Sequence, residues 1–482
     1  MIDKKPPDFQ AAFRTIFMVN VIIRNQIFKV CKGKLLSEFL IDNGFNVVHN
    51  CGGRGVCGKC KVIVNGENVL SCQYRINNDI TVELSETGDV ESVTGTEKSK
   101  RYSRNMCYAF DIGTTTLALA LVSLDNKEVV DVATCTNPQV IFGNDVISRI
   151  DYCRQNSVEK LQNAVVDGVN SLIDTLGNIS CNEMYVSGNT TMLHILFGEN
   201  PTSMGVAPYT PKFLGSKNIK GKDIGINCVD TITSLPCISS FVGADLVAGL
   251  NFIEKPVGDK FNLLVDLGTN AEIILYSKDE ILCTSAAAGP CFEGAGINCG
   301  MSATKGAIYS FELKGKTPDF KTILNEKAVG ICGTGLIDII SGLLKNSVID
   351  ETGYMECEIY NITEKVYINQ KDIRQYQLAK SAVYSAIITL MKIGGVEFSN
   401  IDKLYISGGF SAKINIENAV KTGLLPPELK EKTEPINNSS LLGTVKYSIE
   451  KNEISQLIEN ANYIDLATNS EFSNLFIENM EF

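Results

Sequence analysis

Residues 108–116 read Tyr108-Ala-Phe-Asp111-Ile-Gly113-Thr114-Thr115-Thr116, an apolar strand that ends in an aspartate and runs into a Gly-Thr turn. The pattern returns later in the chain as Leu263-Leu-Val-Asp266-Leu-Gly268-Thr269-Asn270. In each copy a second apolar strand begins within a few residues, which predicts a tight β-hairpin. The repeat therefore indicates a duplicated fold with one hairpin in each half.

Both hairpins have the chemistry of a phosphate site. The turn exposes backbone N–H groups and threonine hydroxyls, and an aspartate at the strand end can hold Mg²⁺ through water or orient an attacking water. We predict Asp111 and Asp266 as the catalytic residues. The predicted phosphate-binding residues are Gly113, Thr114, Thr115, Thr116, Gly268, Thr269 and Asn270. A simple turn would explain one such hairpin equally well, but a pair favours a phosphate-binding site.

A third glycine signal follows a later β-rich run, Leu404-Tyr-Ile-Ser407-Gly408-Gly409. Because glycine has no side chain, Gly408 and Gly409 would let the backbone lie close to a nucleoside, and we predict them as adenosine-binding residues. Glu272 and the stretch 333–335 are secondary candidates. A salt-bridged strand residue and a helix-entry turn explain these two equally well.

Four of the sixteen cysteines form the pattern C-x5-C-x2-C-x11-C, at Cys51, Cys57, Cys60 and Cys72. Three lie on a glycine-rich loop, where backbone N–H groups can approach the sulfides of an iron–sulfur cluster. Structural zinc is one alternative, although zinc sites usually contain two short cysteine pairs and only one C-x2-C is present. Free structural thiols are another. The spacing favours four ligands to a [2Fe-2S] cluster.

The segments around these cysteines predict a small β-rich domain. Strands are expected at 18–22 and 26–30, a helix at 35–43, and two further strands at 61–65 and 80–84. Only two histidines occur, which argues against a histidine-built metal site or a Ser-His-Asp hydrolase. We interpret His194 as a core histidine and expect His49 at the surface.

The composition of the chain argues against two classes of partner, nucleic acids and membranes. Lys and Arg number 44 against 55 Asp and Glu, a net charge of −11, and the chain has no long basic run, so nucleic acid is not an expected partner. No stretch of 18 apolar residues occurs, and the N-terminus lacks the features of an export signal. We therefore expect a cytoplasmic protein without a membrane partner.

The order of the glycine motifs resembles a known superfamily. Two Asp-x-Gly-Thr hairpins followed by Gly-Gly are similar to the phosphate-1, phosphate-2 and adenosine motifs of acetate and sugar kinases, heat-shock chaperones and actin. Residues 186–191 and 438–444 are similar to the two connecting elements of that superfamily. The resemblance implies a two-lobed, RNase H-like ATPase fold that uses ATP and Mg²⁺.

A [2Fe-2S] ferredoxin-like domain before this ATPase fold resembles the reductive activators of corrinoid enzymes. Further similar segments are 137–150, 188–194, 241–245, 288–295 and 331–338. The resemblance implies ATP-dependent, one-electron reduction of a corrinoid protein from Co(II) to Co(I), with the cluster as electron carrier. It also implies a corrinoid protein of a methyltransferase system as partner, a low-potential electron donor of unidentified nature, and a homodimer as one possible assembly.

Taken together, these features predict an α/β chain with five parts. They are a possible extension at 1–17, a β-grasp [2Fe-2S] ferredoxin-like domain at 18–86, a linker at 87–105, ATPase lobe 1 at 106–260, and ATPase lobe 2 with C-terminal elements at 261–482.

Two other functions agree with parts of the sequence. One is an ATP-driven activator of another enzyme such as a 2-hydroxyacyl-CoA dehydratase, although those relatives hold a [4Fe-4S] cluster between two subunits and lack a fused ferredoxin domain. The other is a small-molecule kinase with a redox-sensing cluster, since kinases use the same phosphate hairpins.

Overall fold

The computed structural model describes residues 18–24, 26–43, 45, 60–84, 103, 105–315, 317–409 and 411–482. The expected extension, His49, Cys51, Cys57 and nearly all of the expected linker lie outside the described residues. The chain divides into two compact units. One comprises Met1–Gly88 with Pro138–Tyr152, and the other comprises Asp89–Asn137 with Cys153–Phe482.

The first unit contains a five-stranded mixed sheet. Its elements are β1 (Met18–Ile23), β2 (Gln26–Cys31), α1 (Leu36–Asp42), β3 (Lys61–Val64), β4 (Glu67–Leu70) and β5 (Ile80–Glu83). The strand order is β2-β1-β5-β3-β4, and β1 runs parallel to β5. This confirms the β-grasp arrangement. The sequence does not predict β4, because exposed Glu67 and Asn68 give it no apolar alternation.

Alternation along the strands builds the core of this sheet. In β3 and β5 every second side chain is buried, because residues two apart share a face. Helix α1 adds Leu36, Phe39 and Leu40, which are spaced to lie on one helical face. The same core contains Cys60 and Cys72, so these two thiols sit in largely apolar surroundings.

The second unit is built on two six-stranded sheets. The strands of the first are β6 (Met106–Ile112), β7 (Thr116–Ser123), β8 (Glu128–Thr136), β9 (Cys181–Gly188), β10 (Asn218–Lys220) and β11 (Val229–Ser234). Those of the second are β12 (Phe261–Leu267), β13 (Ala271–Tyr276), β14 (Ile281–Ala286), β20 (Ile401–Ser407), β21 (Thr433–Pro435) and β22 (Ala461–Tyr463). The orders are β10-β11-β9-β6-β7-β8 and β21-β20-β12-β13-β14-β22.

The two sheets repeat one design. Strand β6 pairs antiparallel with β7 and parallel with β9, and β12 pairs antiparallel with β13 and parallel with β20. Asp111 lies beside Ser187 of β9, and Asp266 lies beside Ser407 of β20. All seven residues of β6 are buried, as expected for a central strand covered on both faces. The repeated register confirms the duplicated, two-lobed fold.

The remaining described elements include two small sheets and ten α-helices. They are the sheet of β15 (Ala307–Lys314), β16 (Thr317–Thr322) and β17 (Gly330–Ile331), and the hairpin of β18 (Ile359–Asn361) and β19 (Tyr367–Asn369). The remaining described helices are α2 (Val146–Gln155), α3 (Glu159–Thr175), α4 (Thr190–Leu196), α5 (Ala244–Phe252), α6 (Gly333–Lys345), α7 (Gln370–Ile393), α8 (Ile416–Lys421), α9 (Ser439–Glu450), α10 (Ile454–Leu457) and α11 (Ser470–Glu478).

Helices α5 and α9 cross at very close range. A Cβ atom on Gly443 of α9 would overlap the backbone carbonyl of Ala248 in α5, so the crossing requires glycine. Asn251 of α5 adds a hydrogen bond, its Nδ2 donating to the Gly443 carbonyl at 3.1 Å. The crossing fixes α9 against α5.

Candidate functional site

The first hairpin turn, between β6 and β7, is held by asparagine side chains. Asn137 Nδ2 donates to the carbonyl of Gly113 at 2.8 Å, and its backbone N–H donates to the carbonyl of Thr115 at 2.8 Å. Asn189, the N-cap of α4, donates from Nδ2 to Thr114 Oγ1 at 3.0 Å. A Cβ on Gly113 would lie 2.6 Å from the Thr116 carbonyl oxygen. The tight turn therefore requires glycine at this position.

Asp111 lies at the end of β6 and is only 8% exposed. Its two oxygens each accept a hydrogen bond, from Ser440 Oγ at 2.7 Å and from Asn438 Nδ2 at 2.9 Å. Burial raises the pKa of Asp111, and the two hydrogen bonds act in the opposite direction. The two donors hold the side chain in one orientation and favour its anionic form.

The second hairpin turn, between β12 and β13, has a different set of partners. The Gly268 N–H donates to the Asn270 carbonyl at 2.9 Å, which closes the turn. Thr269 Oγ1 donates to Glu293 Oε2 at 2.5 Å. The Thr269 hydroxyl is therefore engaged by a carboxylate, whereas the Thr114 hydroxyl of the first turn accepts from an amide.

Acidic side chains surround this second turn. The pKa of Asp266 is raised to about 6, mainly by burial and also by the charges of Asp111 and Glu293, while a hydrogen bond from Ser407 opposes the rise. The pKa of Asp245 is raised to about 7, mainly by burial and then by the charge of Asp266. The pKa of Glu272 is also raised well above its ordinary value, first by burial and then by the charges of Asp245 and Asp266. The carboxylates therefore repel one another.

A divalent cation would relieve this repulsion. Among the described residues no three Asp, Glu, His or Cys side chains converge at metal-ligating distance. Mg²⁺ commonly keeps several waters and binds through one or two carboxylates together with substrate phosphates. The arrangement therefore suits a Mg²⁺ ion that arrives with a nucleotide.

Two members of this acidic group were not predicted as site residues. Asp245 is the second residue of α5, and Glu293 ends a short 3₁₀ helix at Pro290–Glu293. Both lie in segments that supported the family resemblance, at 241–245 and 288–295. Neither segment has a Gly-Thr turn, so their residues alone gave no phosphate signal.

The two glycines after β20, Gly408 and Gly409, have different surroundings. Gly408 has φ +118°, and a Cβ there would overlap the Leu267 carbonyl, so the fold itself requires glycine. Gly409 is exposed and has open space where a Cβ would point. Since β20 is the parallel neighbour of β12, this open backbone lies at the same sheet edge as Asp266.

The secondary candidates are now distinguished by their surroundings. A Cβ on Gly335 would overlap the Ile308 carbonyl, so close packing of α6 on β15 accounts for glycine there. Glu272 has no salt bridge among the described residues and accepts from Ser285 Oγ at 3.3 Å. His194 is buried, with Nδ1 2.7 Å from the Thr190 carbonyl and Nε2 accepting from the Lys212 N–H at 3.0 Å. The core interpretation of His194 is confirmed.

The two described cysteines of the predicted cluster site lie together. Cys60 Sγ and Cys72 Sγ are 3.2 Å apart, and both side chains are buried. A disulfide would require about 2.05 Å, so the two sulfurs are not bonded to each other. Two sulfurs bound to one tetrahedral metal ion at about 2.3 Å would lie about 3.8 Å apart, so a small separation of this pair would let both bind the same ion. This half of the site fits an iron–sulfur cluster, and Cys51 and Cys57 lie outside the described residues.

Comparison with known proteins agrees with both halves of this description. Residues 20–81 match the family described as a 2Fe-2S iron-sulfur cluster binding domain. Residues 106–254 match the RACo middle region, and residues 260–482 match the C-terminal domain of RACo, the ASKHA domain. In the described part of the chain, no helix has the length and apolar character needed to cross a membrane.

Individual relatives extend over most of the chain. The corrinoid activation enzyme RamQ of Eubacterium limosum is 27% identical over 576 aligned residues, which cover 94% of this chain and 97% of RamQ. The Co(II) methylated amine-specific corrinoid protein reductase of Methanosarcina barkeri is 26% identical over 415 residues, 77% of this chain and 75% of its own.

A solved structure, a reductive activator for corrinoid, iron-sulfur protein, shares the fold with a TM-score of 0.71 and 24% identity, covering 96% of this chain and 98% of the other. The two RACo matches together extend over nearly all of the chain after residue 105. The chain therefore belongs to the family of reductive activators of corrinoid enzymes, with a [2Fe-2S] domain followed by a RACo middle region and a C-terminal ASKHA domain.

Proposed function

We propose that this protein uses ATP to drive the one-electron reduction of a corrinoid protein from Co(II) to Co(I). The observation that carries the proposal is the presence, in one chain, of a buried thiol pair in a 2Fe-2S binding domain and two phosphate hairpins, one with a buried and one with a partly buried aspartate. The first suits electron transfer, and the second suits nucleotide hydrolysis. Two relatives, a corrinoid activation enzyme and a Co(II) corrinoid protein reductase, support the same conclusion.

Cys51, Cys57, Cys60 and Cys72 are the proposed cluster ligands. When bound, the cluster supplies a carrier that accepts and releases one electron. The chain's own contribution is the apolar core around Cys60 and Cys72, which limits solvent access and so influences the reduction potential. An external low-potential one-electron donor supplies the electron, and the cobalt of a corrinoid protein from a methyltransferase system gains it.

The nucleotide site is proposed at the two hairpins. Gly113, Thr114, Thr115 and Thr116 on one side, and Gly268, Thr269 and Asn270 on the other, would hold phosphate oxygens through backbone N–H groups and hydroxyls. Asp111 and Asp266 would orient Mg²⁺-bound water and the attacking water. The open backbone at Gly409, beside Gly408, would accept the adenosine.

The reduction of Co(II) needs a source of free energy, which is the reason to couple the nucleotide site to the cluster. Reduction to Co(I) is uphill for an ordinary ferredoxin, and a one-electron equilibrium changes tenfold for about 59 mV. A nucleotide that shifts a two-state equilibrium by about 5.5 kcal/mol would offset roughly 240 mV. Closure of the two lobes around ATP is the proposed source of this shift.

We also propose the domain division given above, with a ferredoxin-like domain at 18–86, a linker at 87–105, and ATPase lobes at 106–260 and 261–482. We also propose a cytoplasmic location, because sixteen cysteines spread along a long chain are not the pattern of a short, disulfide-rich secreted scaffold.

The test combines spectra with product analysis. Anaerobically reconstituted protein should show the absorption and EPR signals of a [2Fe-2S] cluster. It should also hydrolyse ATP to ADP and phosphate when a Co(II) corrinoid protein is present, without forming a phosphorylated metabolite. A colourless protein, or a stoichiometric phosphorylated acceptor, would contradict the proposal, and the second result would favour a kinase.

A further inference from the structure

The first turn of α9 contacts both halves of the proposed nucleotide site. Ser440 donates to Asp111, as described above, and Asn438 donates to the other oxygen of the same carboxylate. The neighbouring Ser439 Oγ lies 2.7 Å from Ser407 Oγ, and Ser407 is the parallel β-sheet partner of Asp266. Two consecutive serines therefore connect one helix to the two strand-end aspartates.

Counting protons gives this network a direction. Ser187 Oγ lies 2.8 Å from Ser440 Oγ and 2.7 Å from Thr444 Oγ1. Each hydroxyl has one proton, and an ionised Asp111 can only accept, so Ser440 donates to Asp111. The Ser440 oxygen is then left to accept from Ser187. The Thr444 hydroxyl lies within reach of two acceptors, Ser187 Oγ at 2.7 Å and the Ser440 carbonyl at 2.8 Å. Such a chain strengthens its last bond, because each donor is polarised by the one before it and the final acceptor is charged.

The members of this chain are shielded from solvent. Ser187 and Thr444 have no exposed surface, Ser439 has none, and Ser440 is 6% exposed. Water therefore cannot easily replace a missing hydroxyl. The helix that carries the serines is fixed by the Gly443 crossing with α5, and a Cβ on Gly249 of α5 would lie 2.8 Å from Ser439 Oγ. A shift of α9 would thus disturb both aspartates.

We propose that Ser439 and Ser440 are positioning residues that tie Asp266 and Asp111 to one helix, so that both carboxylates keep the relative placement needed to act on one nucleotide. The inference rests on the proposed ATPase function and adds residues that the hairpin motifs do not contain. It predicts that the two serines act as a unit: loss of either one uncouples the aspartates, and loss of both costs little more than loss of one.

The test uses the reconstituted holoenzyme with its corrinoid partner and measures ATP turnover over a range of ATP and Mg²⁺ concentrations. Ser440→Ala should lower kcat by about 10- to 100-fold, the effect expected for loss of a hydrogen bond to a charged group, and raise the Mg²⁺ concentration for half-maximal rate. The KM for ATP should change less than about threefold, because the phosphate-binding turns are intact. Ser439→Ala should behave similarly, and the double variant should resemble the singles.

Ser448→Ala is the matched control. Ser448 is buried in the same helix, but its Oγ donates to the Val445 carbonyl within that helix at 2.7 Å and does not reach either aspartate. Its kcat and Mg²⁺ dependence should equal those of the unmodified protein. If Ser440→Ala does not fold, Thr444→Val tests the far end of the same hydroxyl chain and should shift Mg²⁺ dependence in the same direction.

Two results would overturn the proposal. One is a Ser440→Ala protein whose kcat and Mg²⁺ dependence match those of Ser448→Ala. The other is a double variant whose loss equals the product of the two single losses, because independent serines would give that result. Absence of ATP turnover in the unmodified protein would instead contradict the proposed function itself.

Discussion

Asp266 on β12 lies directly opposite Glu272 on β13, in the antiparallel register of the second hairpin. The corresponding partner of Asp111 in the first hairpin is Ala118. The duplicated lobes therefore differ at this pair, and only the second hairpin places two carboxylates side by side. Burial and the neighbouring charges raise the pKa of both Asp266 and Glu272. Because of this difference, a bound cation would offset more carboxylate repulsion at the second hairpin than at the first.

Removing Asp266 should stop ATP turnover without unfolding the protein. We expect Asp266→Ala to lower the turnover number at least about a hundredfold, because a group that orients reacting species contributes on that scale. Its melting temperature at neutral pH should not fall, since one of several mutually repelling carboxylates is lost. The cluster spectrum should remain. Asp279→Ala, at an exposed position, is the control. Full turnover in Asp266→Ala would contradict the assignment.

The cysteine variants should give the opposite result. Cys60→Ser or Cys57→Ala should remove the [2Fe-2S] absorption and the EPR signal of the reduced protein, because a thiolate ligand is lost. ATP turnover should persist. Cys31→Ser, at an exposed cysteine of the same domain, should keep the spectrum. A Cys60→Ser protein with an unchanged visible spectrum would show that this thiol is not a ligand.

Stability should depend on pH through the partly buried acids near the second hairpin. Burial raises the pKa of Asp245 to about 7 from an ordinary value of 3.8. The folded protein therefore binds more protons than the unfolded chain between these values, so the free energy of unfolding falls as pH rises through this window. In EDTA the melting temperature should decrease from pH 5 to pH 8, and Asp245→Asn should flatten that slope.

Mg²⁺ with ADP should restore stability at pH 8, because the cation offsets the carboxylate charges. Asp279→Asn should leave the slope unchanged. Parallel slopes for the unmodified protein and Asp245→Asn would contradict the raised pKa.

The α5–α9 crossing should tolerate no side chain at Gly443. Gly443→Ala would push a methyl group into the Ala248 carbonyl, and we expect a loss of about 1–3 kcal/mol in the free energy of unfolding. Urea denaturation followed by far-UV circular dichroism measures this loss. Gly215→Ala is the matched control, because Gly215 has nothing within 4 Å of the added methyl group. Equal stability of the two variants would mean that α5 and α9 separate more easily than the crossing indicates.

Local patterns were sufficient to predict the hairpins and most strands. The Asp-x-Gly-Thr repeats predicted β6, β7, β12 and β13, since a buried apolar run and a glycine turn need only neighbouring residues. The polar strand β4 escaped because half of it is exposed. Asp245 and Glu293 were not predicted for a different reason: each lies on a helical segment that only the tertiary fold brings to the site, and nothing beside it in the chain indicates a phosphate.

The contacts of the α9 serines could not be predicted from neighbouring residues in the sequence. Ser440 and Asp111 are 329 positions apart, and their hydrogen bond depends on how α9 crosses α5. The resemblance to the connecting elements indicated that residues 438–444 matter, but not which atoms they hold. Cys60 and Cys72 are a simpler case, because Cys60 precedes β3, Cys72 follows β4, and the antiparallel pairing of these two strands brings their outer ends together.

The most direct measurement follows cobalt itself. Reconstituted, chemically reduced protein is mixed anaerobically with its corrinoid protein in the Co(II) state, with and without MgATP, and the visible spectrum is recorded over time. The account predicts that Co(I) accumulates only when MgATP is present, and that Asp266→Ala and Cys60→Ser each prevent it. Equal formation of Co(I) without nucleotide, or none with it, would contradict the coupling of ATP to electron transfer.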